Sequence, residues 1–143
     1  MSAWDHLPNA KHIDRILASV KSHPDVWDHV WHQGQPRWAT LNQLRAHEAA
    51  RDSKREIARD EAWNVVRDST GWAIRPSARF EKHYGARRAA REALLALIVY
   101  DDCASYLDLS VDQLQMLYEL TEHPACVLLH SAVLVFAKEK ELA

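Results

Sequence analysis

Glycine is scarce in this chain: 3 among 143 residues, with 5 prolines and 2 cysteines. A β-sandwich or barrel of this length needs many tight turns, so scarce glycine argues against one and for long helices. Long apolar runs are missing too. The longest, residues 93–100, falls well short of the roughly 18 apolar residues a membrane span needs, and it reads as a core helix. The opening MSAWDHLPNAKH has no apolar stretch of the secretory kind. The expectation is a cytoplasmic chain with no membrane association. Cys103 and Cys126 lack the CxxC spacing of a metal site and sit inside helical patterns. They read as small buried hydrophobes of a reducing compartment, with a disulfide between them as the less favoured alternative. No Walker loop, dinucleotide fingerprint, GxSxG elbow or kinase set is present, which removes the commonest mechanisms and leaves unfamiliar ones open. No cofactor is implied.

What the chain does have is 48 % hydrophobic residues, enough for one domain with a real core. Alanine, leucine, arginine and glutamate, all good helix formers, are frequent. We expect an all-α, single-domain bundle of five to six helices over residues 1–143. Residues 1–36 read as an N-terminal helical pair. Asn9 suits an N-cap, and Ile13, Ile16, Leu17 and Val20 form an i, i+3, i+4, i+7 stripe over 10–22. Pro24 suits the first turn of the next helix, whose Val26, Trp27, Val30 and Trp31 should face inward, with Gly34 and Pro36 ending it. Thr40 and Gln43 make a capping-box pattern that opens a long charged helix over 40–70, lined by Ala46, Ala49, Ala50, Ser53 and Ile57 and stopped by Gly71. Residues 86–138 supply the core helices. The first, 86–107, is apolar nearly all round in its middle and should be central. Ser110 and Gln113 form a second capping box opening a helix over 110–121, with Leu114, Leu117, Tyr118 and Thr121 facing the core; His123-Pro124 then restarts the chain for 124–138.

The net charge of −2 conceals an asymmetry. Residues 36–91 hold 13 Lys and Arg against 7 Asp and Glu, whereas residues 92–143 hold 2 against 9. Helices packing complementary faces would produce such a split; so would a basic surface for a phosphate-bearing partner.

Three groups of residues could carry chemistry. Asp101 and Asp102 follow ALIVY at the end of the apolar block. A buried carboxylate is costly unless paired, so the plain expectation is a structural partner for an indole, a histidine or an arginine. A general-base role with His130, in the last helix, is the catalytic alternative. The second group is basic. Arg87, Arg88 and Arg91 share a helical face, with Arg79 and Lys82 upstream and the rings of Trp72 and Tyr84 interleaved. Cations beside stacking rings suit a nucleotide or another phosphate ligand. Cations at a helix N-terminus oppose the dipole, however, so an anion should compensate there unless the helix starts earlier. Third, His29 and His32 stand one turn apart and could share a metal, but no HExxH or Cys–His set accompanies them.

The segments LPNAKHIDRIL, WDHVW, AWNVVRD and ALIVYDDCASYLDLSVDQL resemble a group of small, Ala- and Trp-rich helical proteins of bacteria and phages. Some of these are similar to immunity proteins with AWDAARDAA-type helices. The likeness covers the beginning and the last third of the chain; residues 45–61 depart from it, being highly charged and free of tryptophan. It implies a protein that binds and neutralises a protein partner rather than an enzyme, and it carries over no catalytic residue. A homodimer is the further expectation, because the charged helix has little to bury alone.

Overall fold

A computed structural model describes residues 1–34, 38, 40–50, 52–71 and 82–142, without the side chains of 40–44. Among the described residues all regular secondary structure is helical, with no strand. Helix α1 (Ala10–Ser22) buries Ile13, Ile16, Leu17 and Val20, the stripe its sequence predicts. Helix α2 (Pro24–Gly34) starts on Pro24 and buries Trp27 and Val30, with Val26 and Trp31 half-buried beside them. The Trp27 indole N–H donates to Ser19 Oγ at 3.0 Å, which satisfies its one polar atom inside the core.

The expected helix over 40–70 is two helices, α3 (Thr40–Ala49) and α4 (Ser53–Ser69). Asp52 explains the break. Its backbone is extended, and its carboxylate accepts from the Lys54 N–H at 2.9 Å, so it opens a helix instead of continuing one. Ala46, Ala50, Ala58, Ala62 and Val66 are buried, whereas Ala49, Ser53 and Ile57 face solvent. Gly71 ends α4 at φ +80, a conformation that only glycine adopts freely. The side chains of the Thr40–Gln43 box, and Pro36, lie outside the described residues.

Helix α5 (Tyr84–Val99) is the central rod, packed against α1, α2, α3 and α4 and against two later helices, α7 (Ala125–Leu128) and α8 (His130–Leu142). Its alanines at 86, 89, 90, 93 and 96 are buried, which lets neighbouring helices approach closely. It stops at Val99 rather than running to 107. A turn at Asp101–Asp102 and a 3-10 segment (Ala104–Asp108) follow. The reason is tertiary. In a continuing helix, Leu97 O and Ile98 O would accept from the amides four residues on. Here the Asn9 amide donates to Leu97 O at 2.6 Å and to Tyr100 O at 2.9 Å, and Arg55 Nη1 donates to Ile98 O. The carbonyls are satisfied from outside, and the chain is free to turn. Asn9 sits at the α1 N-cap position, yet its side chain makes no cap bond there; it serves α5 instead.

Helix α6 (Val111–Thr121) opens on the expected capping box. Gln113 N–H donates to Ser110 Oγ at 3.2 Å, and Ser110 N–H donates to Gln113 Oε1 at 3.0 Å. Leu114 is buried with Cys126 and Val133 in a small second core, and Leu117 and Tyr118 are half-buried against it. Thr121, expected inside, is exposed. The expected helix over 124–138 divides at Leu129, although backbone bonds of 2.9 Å run on across it from Leu129 N–H to Ala125 O and from Val133 N–H to Leu129 O.

Candidate functional site

The start of α5 is the most elaborate junction in the molecule. Four N–H groups at a helix start lack partners within the helix, and the dipole there favours an anion. Asp28 of α2 supplies it. Its Oδ1 accepts from Gly85 N–H at 2.8 Å and from Ala86 N–H at 3.3 Å. Asp25, one turn earlier, lies 3.3 Å from Nδ1 of His83, which holds the left-handed conformation just before the helix. The compensating anion that the arginine-rich sequence demanded is therefore part of the fold, and it occupies the amides a phosphate would have used.

The three arginines go separate ways. Arg87 is buried, only 2 % exposed, and its Nη1 donates to Lys82 O at 3.0 Å and to Thr70 Oγ1 at 3.4 Å. It ties the end of α4 to the start of α5 and offers nothing to a ligand, contrary to the expectation for it. Arg88 is exposed and lies over the Tyr84 ring, 5.6 Å from its centroid, with exposed Lys82 nearby in sequence. Arg91 is half-buried, 5.8 Å from the centroid of Trp63. Burial pushes the carboxyl of the adjacent Glu92 up to about 7 against the opposing pull of Arg88 and Arg91. Trp72 and Arg79 lie outside the described residues.

Asp101 and Asp102 are at the surface, their side chains 51 % and 69 % exposed. The expectation of an acidic pair held inside a helix is corrected: α5 ends before them. Asp101 accepts both Nη2 contacts of Arg55, at 3.2 and 3.1 Å. Asp102 meets His123, not His130. His123 Nδ1 accepts from Ala125 N–H at 3.1 Å, so the neutral ring carries its proton on Nε2, which donates to Asp102 Oδ1 at 3.2 Å. Both imidazole nitrogens are engaged, and the ring is held edge-on to Tyr100 and Tyr106 at centroid distances of 4.8 and 5.7 Å. A general base needs a nitrogen free for the substrate proton, and this ring has none. His130 is buried, its Nδ1 without a hydrogen-bond partner among the described residues; burial lowers its pKa, and its ring stands edge-on to Trp38 at 6.0 Å.

The histidine pair of α2 does not converge on a metal. His32 Nε2 faces Asp28 Oδ1 at 3.7 Å, while His29 lines an open groove of about 430 Å³ with Asp25, Lys138 and Glu141. Among the described residues no three His, Cys, Asp or Glu side chains come together as a metal would require. Both cysteines are free and buried, with the Cys103 thiol pushed up to about 12 and the Cys126 thiol to about 11, chiefly by burial, which makes both poor nucleophiles. No described helix is long and apolar enough to cross a membrane.

The sequence reading of α6 assigned its inward face and left its outward face aside. Its Met116 is 61 % exposed and its Leu120 82 % exposed. They stand one turn apart on the face opposite Leu114. The signal was available, because assigning Leu114, Leu117 and Tyr118 to the core leaves Met116 and Leu120 facing away. Asp112 extends the same row, Glu119 flanks it, and residues 92–137 contain no lysine or arginine at all.

The chain matches no protein-family model, no curated protein and no solved structure.

Proposed function

We propose that this chain is a non-enzymatic binding protein that acts by covering the surface of a protein partner. It fits the kind of protein that neutralises an effector in conflicts between bacteria or between bacteria and phages. The observation that carries this reading is the occupation of His123: with Ala125 N–H on one nitrogen and Asp102 on the other, the Asp–His pair is a clasp between segments and not a proton relay. Asp101 is spent in the same way on Arg55. Groups that could react are used to hold helices together, and what the surface then offers is shape and charge.

The test is capture of a partner from a bacterial lysate by the full chain carrying a photoreactive residue at position 57, 88 or 120, followed by reconstitution from purified components. A saturable complex in which the partner's own activity falls as this chain is added supports the reading. Absence of any partner at all three positions overturns it.

Exposed Arg88 over Tyr84 favours a second reading, a binder of nucleotides or other phosphate ligands. Calorimetry against linear and cyclic nucleotides tests it; heat that vanishes in Arg88→Ala supports it, and no heat with any of them removes it. Such binding should weaken steeply as the Debye length shrinks from about 10 to about 3 Å with added salt.

A further inference from the structure

We propose that the outward face of α6 is a docking surface for a basic protein segment, with Met116 and Leu120 as its apolar centre. The inference rests on the binding reading and names the face and the chemistry of the partner. A leucine 82 % exposed one turn from a methionine 61 % exposed places two large apolar side chains side by side in water. Flexible methionine adapts to a partner's shape, and an apolar centre within a polar rim is the usual anatomy of a protein interface.

The helix that carries them is held firmly. The Ser110–Gln113 box fixes its start, and Leu114 is driven into the small core. The Tyr118 hydroxyl donates to Trp38 O at 3.2 Å, its ring edge-on to Trp38 at 4.8 Å. A surface held this way loses little freedom when a partner arrives.

Charge selects the occupant. Asp112, Glu119 and Glu122 are the only charged residues of 111–122, and all are acidic and exposed. Nucleic acid and anionic membranes share that sign and are repelled. A two-fold pairing of α6 with its own copy would set Asp112 and Glu119 against like charges. The complementary partner presents lysine or arginine around an apolar ridge, as one face of a basic amphipathic helix does.

The test uses a fluorescent amphipathic helical peptide of leucine and lysine, and a leucine–glutamate peptide of the same pattern, titrated with the full chain. The lysine peptide is expected to bind and the glutamate peptide not to. Affinity should fall about tenfold or more in Met116→Ser/Leu120→Ser and in Asp112→Asn/Glu119→Gln, and stay within about twofold in Ile57→Ser, the exposed apolar control on α4. All these positions are exposed, and unchanged circular dichroism and melting verify that the variants fold. Binding that is indifferent to the α6 variants, or no binding of the lysine peptide, overturns the proposal. So does self-association of the chain that the α6 variants abolish, which assigns the face to a second copy. A natural partner that cross-links only from position 57 or 88 removes α6 while leaving the binding reading intact.

Discussion

Asp28 and Gly85 are in such close contact that each dictates the other. Asp28 Oδ1 accepts from Gly85 N–H at 2.8 Å, and a Cβ added at Gly85 would lie 2.7 Å from that same oxygen, 2.9 Å from His32 Nε2 and 3.1 Å from the Asp28 backbone oxygen. Two helices cross here at a spacing that leaves little room for a side chain at position 85.

Gly85→Ala sets two effects against each other. Alanine improves helix propensity, though by less than the about 1 kcal/mol of a helix interior, because Gly85 lies in the first turn of α5. The clash with a backbone oxygen cannot be relieved by a rotamer change, and overpacking of that kind costs about 1–3 kcal/mol. The net expectation is destabilisation, read as a lower urea midpoint at constant slope. Asp28→Ala should cost about 1–2 kcal/mol in the same assay, and Asp28→Asn less, because the amide oxygen still accepts while the charge at the helix start is gone.

Asn9→Ala leaves Leu97 O without its donor inside the core and deprives Tyr100 O of the same amide. A loss of about 1–3 kcal/mol is expected. Asn9→Asp should be worse, since a carboxylate cannot donate and would face two carbonyl oxygens. Equal stability of Asn9→Asp and the wild type in chemical denaturation would remove Asn9 from the role assigned to it.

Glu92 makes stability depend on pH. Its pKa rises from 4.5 to about 7 on folding, so the folded state binds the proton more tightly than the unfolded one. That contribution is present in full below about pH 4.5 and is lost as pH rises through about 7. Glu92→Gln should therefore match the wild type near pH 4 and exceed it by on the order of 1 kcal/mol near pH 8. Melting temperatures across that window report the difference, and parallel curves would count against it.

His130 carries a buried ring nitrogen with no hydrogen-bond partner among the described residues. Leaving such an atom unsatisfied costs about 1–3 kcal/mol, whereas an apolar side chain has nothing to satisfy. His130→Leu is expected to hold or raise the denaturation midpoint and to blunt unfolding in acid. The sign follows from the lowered pKa: the neutral ring's contribution is present above its unfolded value of 6.5 and is lost as pH falls through the lower folded value. A markedly less stable His130→Leu would show that the imidazole does more than fill space.

Features encoded within a few residues were legible in advance. The stripe of α1, Pro24 at the start of α2, Gly71 at the end of α4 and the Ser110–Gln113 box each rest on 3.6-residue periodicity or on a cap formed by near neighbours. The break between α3 and α4 is local, set by Asp52 on Lys54 N–H, but the unforeseen end of α5 is made by distant side chains. Nothing between Gly85 and Pro124 is glycine or proline, so no local signal marks the end of α5; Asn9 and Arg55 impose it from 88 and 43 residues away. The same limit governs the site. Spacing placed Arg87, Arg88 and Arg91 on one side of a helix, but which of them turns inward depends on where α2 and α4 pack. Asp102 needed a cation or a donor, and nothing along the chain distinguishes His123 from His130 until the turn after α5 brings one of them within 3.2 Å.

Asn9, Asp28 and Arg55 are all synthesised before α5. Until α5 is made, two donors and one acceptor have no counterpart, because their partners all lie on that rod. Neither half of the chain is therefore expected to be self-sufficient. Severing it between Gly71 and Lys82 should yield two pieces that remain largely unstructured apart and recover helical circular dichroism when mixed, each supplying the ends that the other leaves open.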